Sequence, residues 1–478
     1  MKKFAAIFLA VLFSISVSGC RRKVDPNAPA PPPPKKVQLV WWNLFEDCSV
    51  FRGQIQQFES TNPGAKINCK SFSDAAEFEK VLINEIAEGG GPDIFSIQNT
   101  KVDTHRGKIS PAPSAVFTPA EFQNTFFSVA ADDLILPDDA TGVQKVFAIP
   151  LYIDTLALYF NKKIFRDNLP STDEPAKTWE NLKQQVYAIT RRDNSIERFA
   201  LSGIAMGRAD NILRAVDILQ LLFLQFDTQM FDKKTGKAIF AQQQGTFEGT
   251  GKPFYRGAEV LKLFTSFSSP SWKNYSWNQL ITSFDGEQKE VGTFLREKTA
   301  MIFGYSQLYE NLKSEIEAAK KSGKKSTIKL ENVGVAAVPQ IVDPAESGEQ
   351  DSLASYFPLT VSRNSKSPEL SWQFLKFLSS SQSLQDFHEK THRPTSRKDM
   401  VDGQMSENIF GVFARQASFA KSLETIEDES FELVFAAVID EIVKSKATIE
   451  KALQSAEEKM SCVFQKKLGK KKLAEKCF

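Results

Sequence analysis

The chain has 478 residues, 42% of them hydrophobic and 25% charged, and its 60 basic and 58 acidic side chains leave a formal net charge of +2. A balance so near zero argues against nucleic acid as a partner, because phosphate binding needs a basic surface excess. The composition is that of a globular chain, and the length exceeds what one hydrophobic core usually serves, so two lobes are expected.

Met1-Lys2-Lys3 is a basic start, and Phe4 to Val17 is an almost wholly apolar run. That run is too short for a comfortable membrane span and reads as the apolar region of a signal peptide. Val17-Ser18-Gly19-Cys20 puts small residues before a cysteine, as at the end of a bacterial lipoprotein signal. Residues 1–19 are therefore expected to be removed and Cys20 lipidated, which places the body outside the cytoplasmic membrane and tethered to it. Residues 20–36 include six prolines, four of them consecutive at Pro31 to Pro34. Such a stretch is a semi-rigid spacer. No later apolar run reaches the length of a membrane span.

The folded body is expected from Val37. Val37 to Trp42 reads as a buried strand, and Phe51, Ile55 and Phe58 mark one face of a helix stopped by Asn62-Pro63-Gly64. Lys66 to Phe72 makes a second strand. Asp74 caps a second helix that buries Phe78, Val81, Leu82 and Ile86, with Glu77 three residues after the cap. Gly89-Gly90-Gly91 ends that helix, and Pro92 to Ile97 is a third strand. The β-α-β-α-β order implies a mostly parallel sheet flanked by helices.

Cys48, Cys69, Cys462 and Cys477 remain once Cys20 is set aside. In an oxidising compartment the simplest arrangement is two local disulfides, Cys48–Cys69 and Cys462–Cys477, although four cysteines allow three pairings. A metal site is not expected: there is no Cys-x-x-Cys, and His105, His388 and His392 are scattered.

Motifs along nearly the whole body resemble family 1 extracellular solute-binding proteins, the maltose-binding-protein-like receptors of ABC importers. They include Trp41-Trp42-Asn43, Phe58-Glu59-x-x-Asn62-Pro63-Gly64 and Gly89-Gly90-Gly91-Pro92-Asp93-Ile94-Phe95. Further on come Ala148 to Thr155 with Leu158 to Lys162, Thr178-Trp179-Glu180-Asn181-Leu182, and Lys298 to Met301 with Gly304. Val333 to Pro339, Ser365 to Leu378 and Pro394 complete the order. The resemblance implies a two-lobed α/β fold of the type II periplasmic-binding kind, each lobe a mostly parallel sheet flanked by helices, joined by crossing hinge strands. Lobe 1 is then expected over residues 37–152 plus 339–394, and lobe 2 over 154–338 plus 395–460, with a basic tail at 461–478. The sequence departs from the family at Gln225-Phe226-Asp227-Thr228, where a Gly-Gly pair is common, and in the lysines Lys466-Lys467 and Lys470-Lys471-Lys472.

A receptor of this kind holds a small solute between its lobes, at loops after the strands. Sugars ask for aromatic faces and for carboxylates or amides that meet hydroxyls. The first loop offers Trp42, Asn43 and Glu46; the loop after the third strand offers Gln98 and Asn99. The resemblance places Asn99 and Asp154 where maltose-type receptors carry ligand-binding acids, makes Asn43 a polar contact, and sets Tyr305 and Ser306 at a stacking position. Tyr152 and Tyr356 complete the candidates. Trp41 and Trp42 point to opposite faces of a strand, and Trp42 is assigned to the cleft. Glu46 has a second reading, as a cap for the helix near Ser49. Asp154 stands out as an acid in an apolar run, and Asp154→Ala is expected to weaken binding with little effect on folding.

Catalysis finds little support. Gly203-Ile204-Ala205-Met206-Gly207 carries Met where a nucleophile elbow needs Ser, Thr235-Gly236-Lys237 lacks the upstream glycine of a phosphate loop, and Asp132-Asp133 and Asp138-Asp139 read as solvated surface. The chain is expected to be a monomeric, cofactor-free, non-enzymatic receptor whose partners are a solute, most simply a carbohydrate, and an ABC permease. The alternative is a lipoprotein of the same fold that binds a partner protein as sensor or adhesin.

Overall fold

The computed structural model describes residues 36–193, 198–281, 289–323, 328–425, 428–468 and 476–477. The signal, Cys20, nearly all of the proline spacer and Lys470 to Lys472 lie outside the described residues.

The first strands and helices form near the expected positions. Strand β1 (Val37–Leu44) runs parallel to β2 (Ala65–Phe72), with Trp41 beside Cys69, and parallel to β3 (Ile94–Ser96). Between them lie α1 (Arg52–Thr61) and α2 (Ala75–Ala87). The Asp74 carboxylate accepts from the Glu77 amide at 2.7 Å, which starts α2 by satisfying one of its unpaired N–H groups. Trp41 is fully buried, whereas Trp42 on the opposite face is half-buried against Phe72. Helix α3 (Ser128–Leu134) packs further along.

The chain crosses at β4 (Asp154–Thr155), enters lobe 2 on β5 (Ala157–Asn161), and adds α4 (Ala215–Gln225), β6 (Met301–Gly304), α5 (Gln307–Lys321) and β7 (Val333–Ala336). It returns through β8 (Ser352–Ser355) to β9 (Leu359–Val361), which closes the lobe 1 sheet in the order β9-β3-β1-β2. Later come β10 (Ala420–Lys421), α6 (Asp428–Val443) and α7 (Ile449–Lys467). The lobe 2 sheet, β6-β5-β7, is mixed rather than mostly parallel: β5 is antiparallel to both neighbours, with parallel bridges Ser202–Thr299 and Thr178–Gln340 outside it. The reason is directional. Strand β5 leads away from the hinge, while β6 and β7 lead back toward it.

Among the described residues two large cores record the division, beside a small third cluster at Val463 and Phe464. One holds Leu39 through Ile153 and resumes at Ala354; the other holds Leu156 through Leu353 and most of the C-terminal helices. The return crossing therefore falls at Leu353/Ala354, about fifteen residues after the Val338/Pro339 boundary expected from sequence. Ala414, Ala417 and Ala420 also pack with lobe 1. In the hinge, β8 is antiparallel to β4 and parallel to β10.

At the departure from the Gly-Gly pattern, Asp227 takes a left-handed φ of 48°. The Gln225 amide accepts from Trp179 Nε1 at 2.7 Å and donates to the Pro339 carbonyl at 2.8 Å. Both local disulfides are formed, Cys48–Cys69 and Cys462–Cys477. No helix among the described residues is long and apolar enough to cross a membrane.

Candidate functional site

The carboxyl ends of β1 and β3 face the second lobe, and their loops bring polar side chains to the gap, as open α/β sheets do. A cavity of about 840 Å³, counting its open mouth, lies between the lobes. Gln98, Asn99 and Lys101 line it from lobe 1, Arg214, Asp217 and Gln220 from the start of α4, and Glu429 and Glu432 from α6. Tyr305 and Ser355 contribute from the hinge side. Tyr305 follows β6, with Arg214 Cζ 5.1 Å from its ring centre and Asp217 3.4 Å from that guanidinium. Burial pushes the Tyr305 hydroxyl well above its usual range, reinforced by Asp217 and opposed by Arg214.

Two buried carboxylates shape the walls. Asp154 Oδ2 accepts from Ser306 Oγ at 2.6 Å and from Arg393 Nη1 at 3.1 Å, and Asp154 also receives the Ser306 and Thr155 amides. Arg393 reaches Glu46 at 2.7 Å and stacks over Tyr152 at 4.8 Å. Burial raises the Asp154 pKa, and Arg393 and Ser306 pull against it. The second carboxylate is Asp133 of α3. It accepts from Tyr356 Oη at 2.7 Å, Ser422 Oγ at 2.8 Å and Asn99 Nδ2 at 3.0 Å. Burial raises its pKa as well, against those three hydrogen bonds.

The sequence candidates separate accordingly. Gln98, Asn99 and Tyr305 line the cavity. Asp154, Ser306, Glu46 and Tyr152 come together in the hinge network instead, each already partnered. Glu46 does not cap the turn at Cys48–Phe51; Asp47 does, accepting from the Ser49 amide at 2.8 Å. Asn43 is buried and donates to the Glu46 carbonyl at 2.7 Å, holding the first loop. Tyr356 is buried on Asp133. Trp42 stays on the sheet face beneath Lys70, whose Nζ is 5.1 Å from its ring, because the pleat carries it away from the loop.

Sequence reasoning missed Arg214, Asp217, Gln220, Glu429 and Glu432, and it read Asp133 as surface. Only the rarity of an acid beside Leu134 and Ile135 pointed to Asp133. The glycines of Gly203-Ile204-Ala205-Met206-Gly207 serve packing. A Cβ on Gly203 would sit 2.8 Å from the Val186 carbonyl, and Gly207 has a φ of 98° against Ser268. Among the described residues no cluster of three or more metal-ligating side chains occurs.

The arrangement offers amides, both charge signs and one aromatic ring in a partly enclosed space. Such a site suits a small polar solute. Residues 44–384 match the family model described as "Bacterial extracellular solute-binding protein". The fold is shared with the sugar-binding protein MalE of Xanthomonas citri, at 16% identity and a TM-score of 0.67 over 91% of this chain and 98% of that one. A cyclic α-maltosyl-1,6-maltose binding protein from Arthrobacter globiformis is similar at 16% identity, TM-score 0.66, over 90% and 100%. An ABC substrate-binding protein from Listeria monocytogenes, solved with cycloalternan, is similar at 13% identity, TM-score 0.64, over 91% and 100%. No curated protein matches the sequence.

Proposed function

Because the chain belongs to the bacterial extracellular solute-binding protein family, we propose that it captures a carbohydrate between its lobes, closes on it, and delivers it to an ABC importer. The observation that carries this reading is the polar interlobe cavity, where Gln98 and Asn99 of one lobe face Arg214, Asp217 and Gln220 of the other across Tyr305. A ligand that contacts both walls favours closure, since its bonds to the second wall form only when the lobes meet. Similar folds described as sugar-binding support the choice of solute. In this reading Cys20 carries the lipid that holds the receptor at the membrane, the proline spacer gives it reach, and no catalytic group is involved.

A thermal-shift screen of the purified protein against mono- and oligosaccharides, polyol phosphates, amino acids and polyamines tests the proposal. Ligand at a hundred times its Kd adds about 2.7 kcal/mol of stability. A shift confined to sugars is expected, lost in Tyr305→Ala and weakened in Asp217→Asn. A shift with another class, or none, overturns the carbohydrate reading. Replacing Cys20 with Ala releases the protein from membranes if the anchor is there.

A further inference from the structure

Resting on that reading of the cleft, we propose that the solute is bipartite: its hydroxyl-rich part lies between the lobes, and a slim apolar substituent, alkyl or aryl, enters a pouch inside lobe 1. The pouch is a narrow, solvent-open hollow between α2 and the end of the sheet. Leu44, Phe78, Leu82, Ile86, Phe95 and Phe357 form its carbon walls. Gln98 and Lys101 line both this pouch and the interlobe cavity, so the two spaces adjoin across these side chains.

The chemistry of the two spaces is opposite. The cleft is dominated by amides and charges. In the pouch the polar groups stand on one rim and are engaged with one another. Lys101 Nζ meets Glu79 at 2.5 Å, Lys108 Nζ lies 3.0 Å from His105 Nδ1, and His105 Nε2 is 3.9 Å from Glu79. Hydroxyl groups pushed past that rim would lose water and find no partner, a cost that an alkyl or aryl group does not incur.

A second observation marks the entrance. Phe45, just after β1, has a φ of 74°, a conformation that an aromatic residue adopts at an energetic cost. The residue is 42% exposed, with its ring edge-on at 5.1 Å to Phe357, which lines the pouch. Strain of this kind persists at ligand sites, where the exposed ring gives an apolar guest a surface before it enters.

The test compares free sugars with their alkyl glycosides: glucose with octyl glucoside and maltose with octyl maltoside, below the concentrations that form micelles. Wild-type protein is expected to bind an octyl glycoside at least tenfold more tightly than its sugar, each buried methylene adding roughly three- to fourfold. Ala75→Trp and Ile83→Trp fill the pouch from the half-exposed face of α2 and are expected to abolish that gain while leaving the affinity for the free sugar intact. The neutral fluorophore N-phenyl-1-naphthylamine is read in parallel, with saturable one-to-one binding expected in the wild type and loss in both variants. A glycoside that binds no better than its sugar, or fluorophore binding that neither variant reduces, overturns the pouch. If sugars and glycosides all fail while the fluorophore binds and both variants remove it, the carbohydrate reading falls and the pouch stands.

Discussion

The Arg393 guanidinium donates to Asp154 at 3.1 Å, so a side chain of lobe 1 holds the first hinge strand from within a fully buried site. The same carboxylate receives Ser306, the residue that leads from β6 into α5. Three parts of the chain meet on one acid, and Glu46 balances the second side of the arginine.

This wiring reverses the expectation that Asp154→Ala leaves folding unaffected. Removing one partner of a buried ion pair leaves a desolvated charge behind, a loss of about 3–5 kcal/mol. Asp154→Ala is expected to lower stability by that order in urea unfolding. The double variant Asp154→Leu/Arg393→Met is expected to lose less than the sum of its single variants, because neither member of that pair is then stranded, although Glu46 loses its partner in every Arg393 variant. Strict additivity would show that the pair does not interact.

Asp133 governs Asn99 at a distance. Its Oδ2 fixes the Asn99 amide that lines the cavity, together with Tyr356 and Ser422. Asp133→Ala takes the acceptor from the Tyr356 and Ser422 hydroxyls, while Asn99 Nδ2 keeps Ser422 Oγ at 2.9 Å; each group left unsatisfied costs about 1–3 kcal/mol. Both stability and solute affinity are expected to fall, whereas Tyr356→Phe, which removes one bond and its donor together, is expected to cost about 1 kcal/mol or less. An Asp133→Ala protein with unchanged solute affinity would mean that Ser422 Oγ and the Tyr356 backbone suffice to hold Asn99.

Lobe 1 was legible because its periodicities are local. The strand at Val37, the cap at Asp74 and the stop at Gly89 each depend on neighbours a few residues away, and all form. The burial of Trp41 likewise follows from the pleat. The site was less legible because its geometry is made by pairs remote in sequence. Asp133 is surrounded by Asn99, Tyr356 and Ser422, the last of them 289 residues away, and the apolar Leu134 and Ile135 beside it hint at burial without naming those partners. Arg393 lies 239 residues from Asp154. Asp154 was rightly conspicuous as an acid among apolar residues, but burial alone does not distinguish a ligand contact from an internal ion pair.

Glu79 gives the protein an acid-sensitive contact at the rim of the pouch. His105 and Lys101 together hold its carboxyl at about 2, against an ordinary value of 4.5. A carboxylate depressed in the folded state stabilises fully above the unfolded value, and that stability is lost as pH falls from about 4.5 toward about 2. With partial solvent screening the contribution is about 1–2 kcal/mol. Wild type is therefore expected to exceed Glu79→Gln by that margin at pH 6 and to converge with it near pH 2. A margin that stays constant across this window would show that the carboxylate's charge is not what the contact uses.

The Cys48–Cys69 bond joins the turn after β1 to the middle of β2 and encloses α1 within a separation of 21 residues. Crosslinking that loop restricts the unfolded chain by an amount worth about 3 kcal/mol in the chain-entropy description. The strands on either side are already paired in register, with Trp41 beside Cys69, so the fold of lobe 1 does not need the bond to find its pairing. Cys48→Ser/Cys69→Ser is accordingly expected to fold, to unfold at lower urea concentration by a margin near that value, and to bind solute as the wild type does. Reducing the wild-type protein should reproduce the loss arising from this loop, which adding the double substitution would then not increase. A variant as stable as the oxidised wild type would indicate that the denatured chain keeps β1 and β2 together without the crosslink.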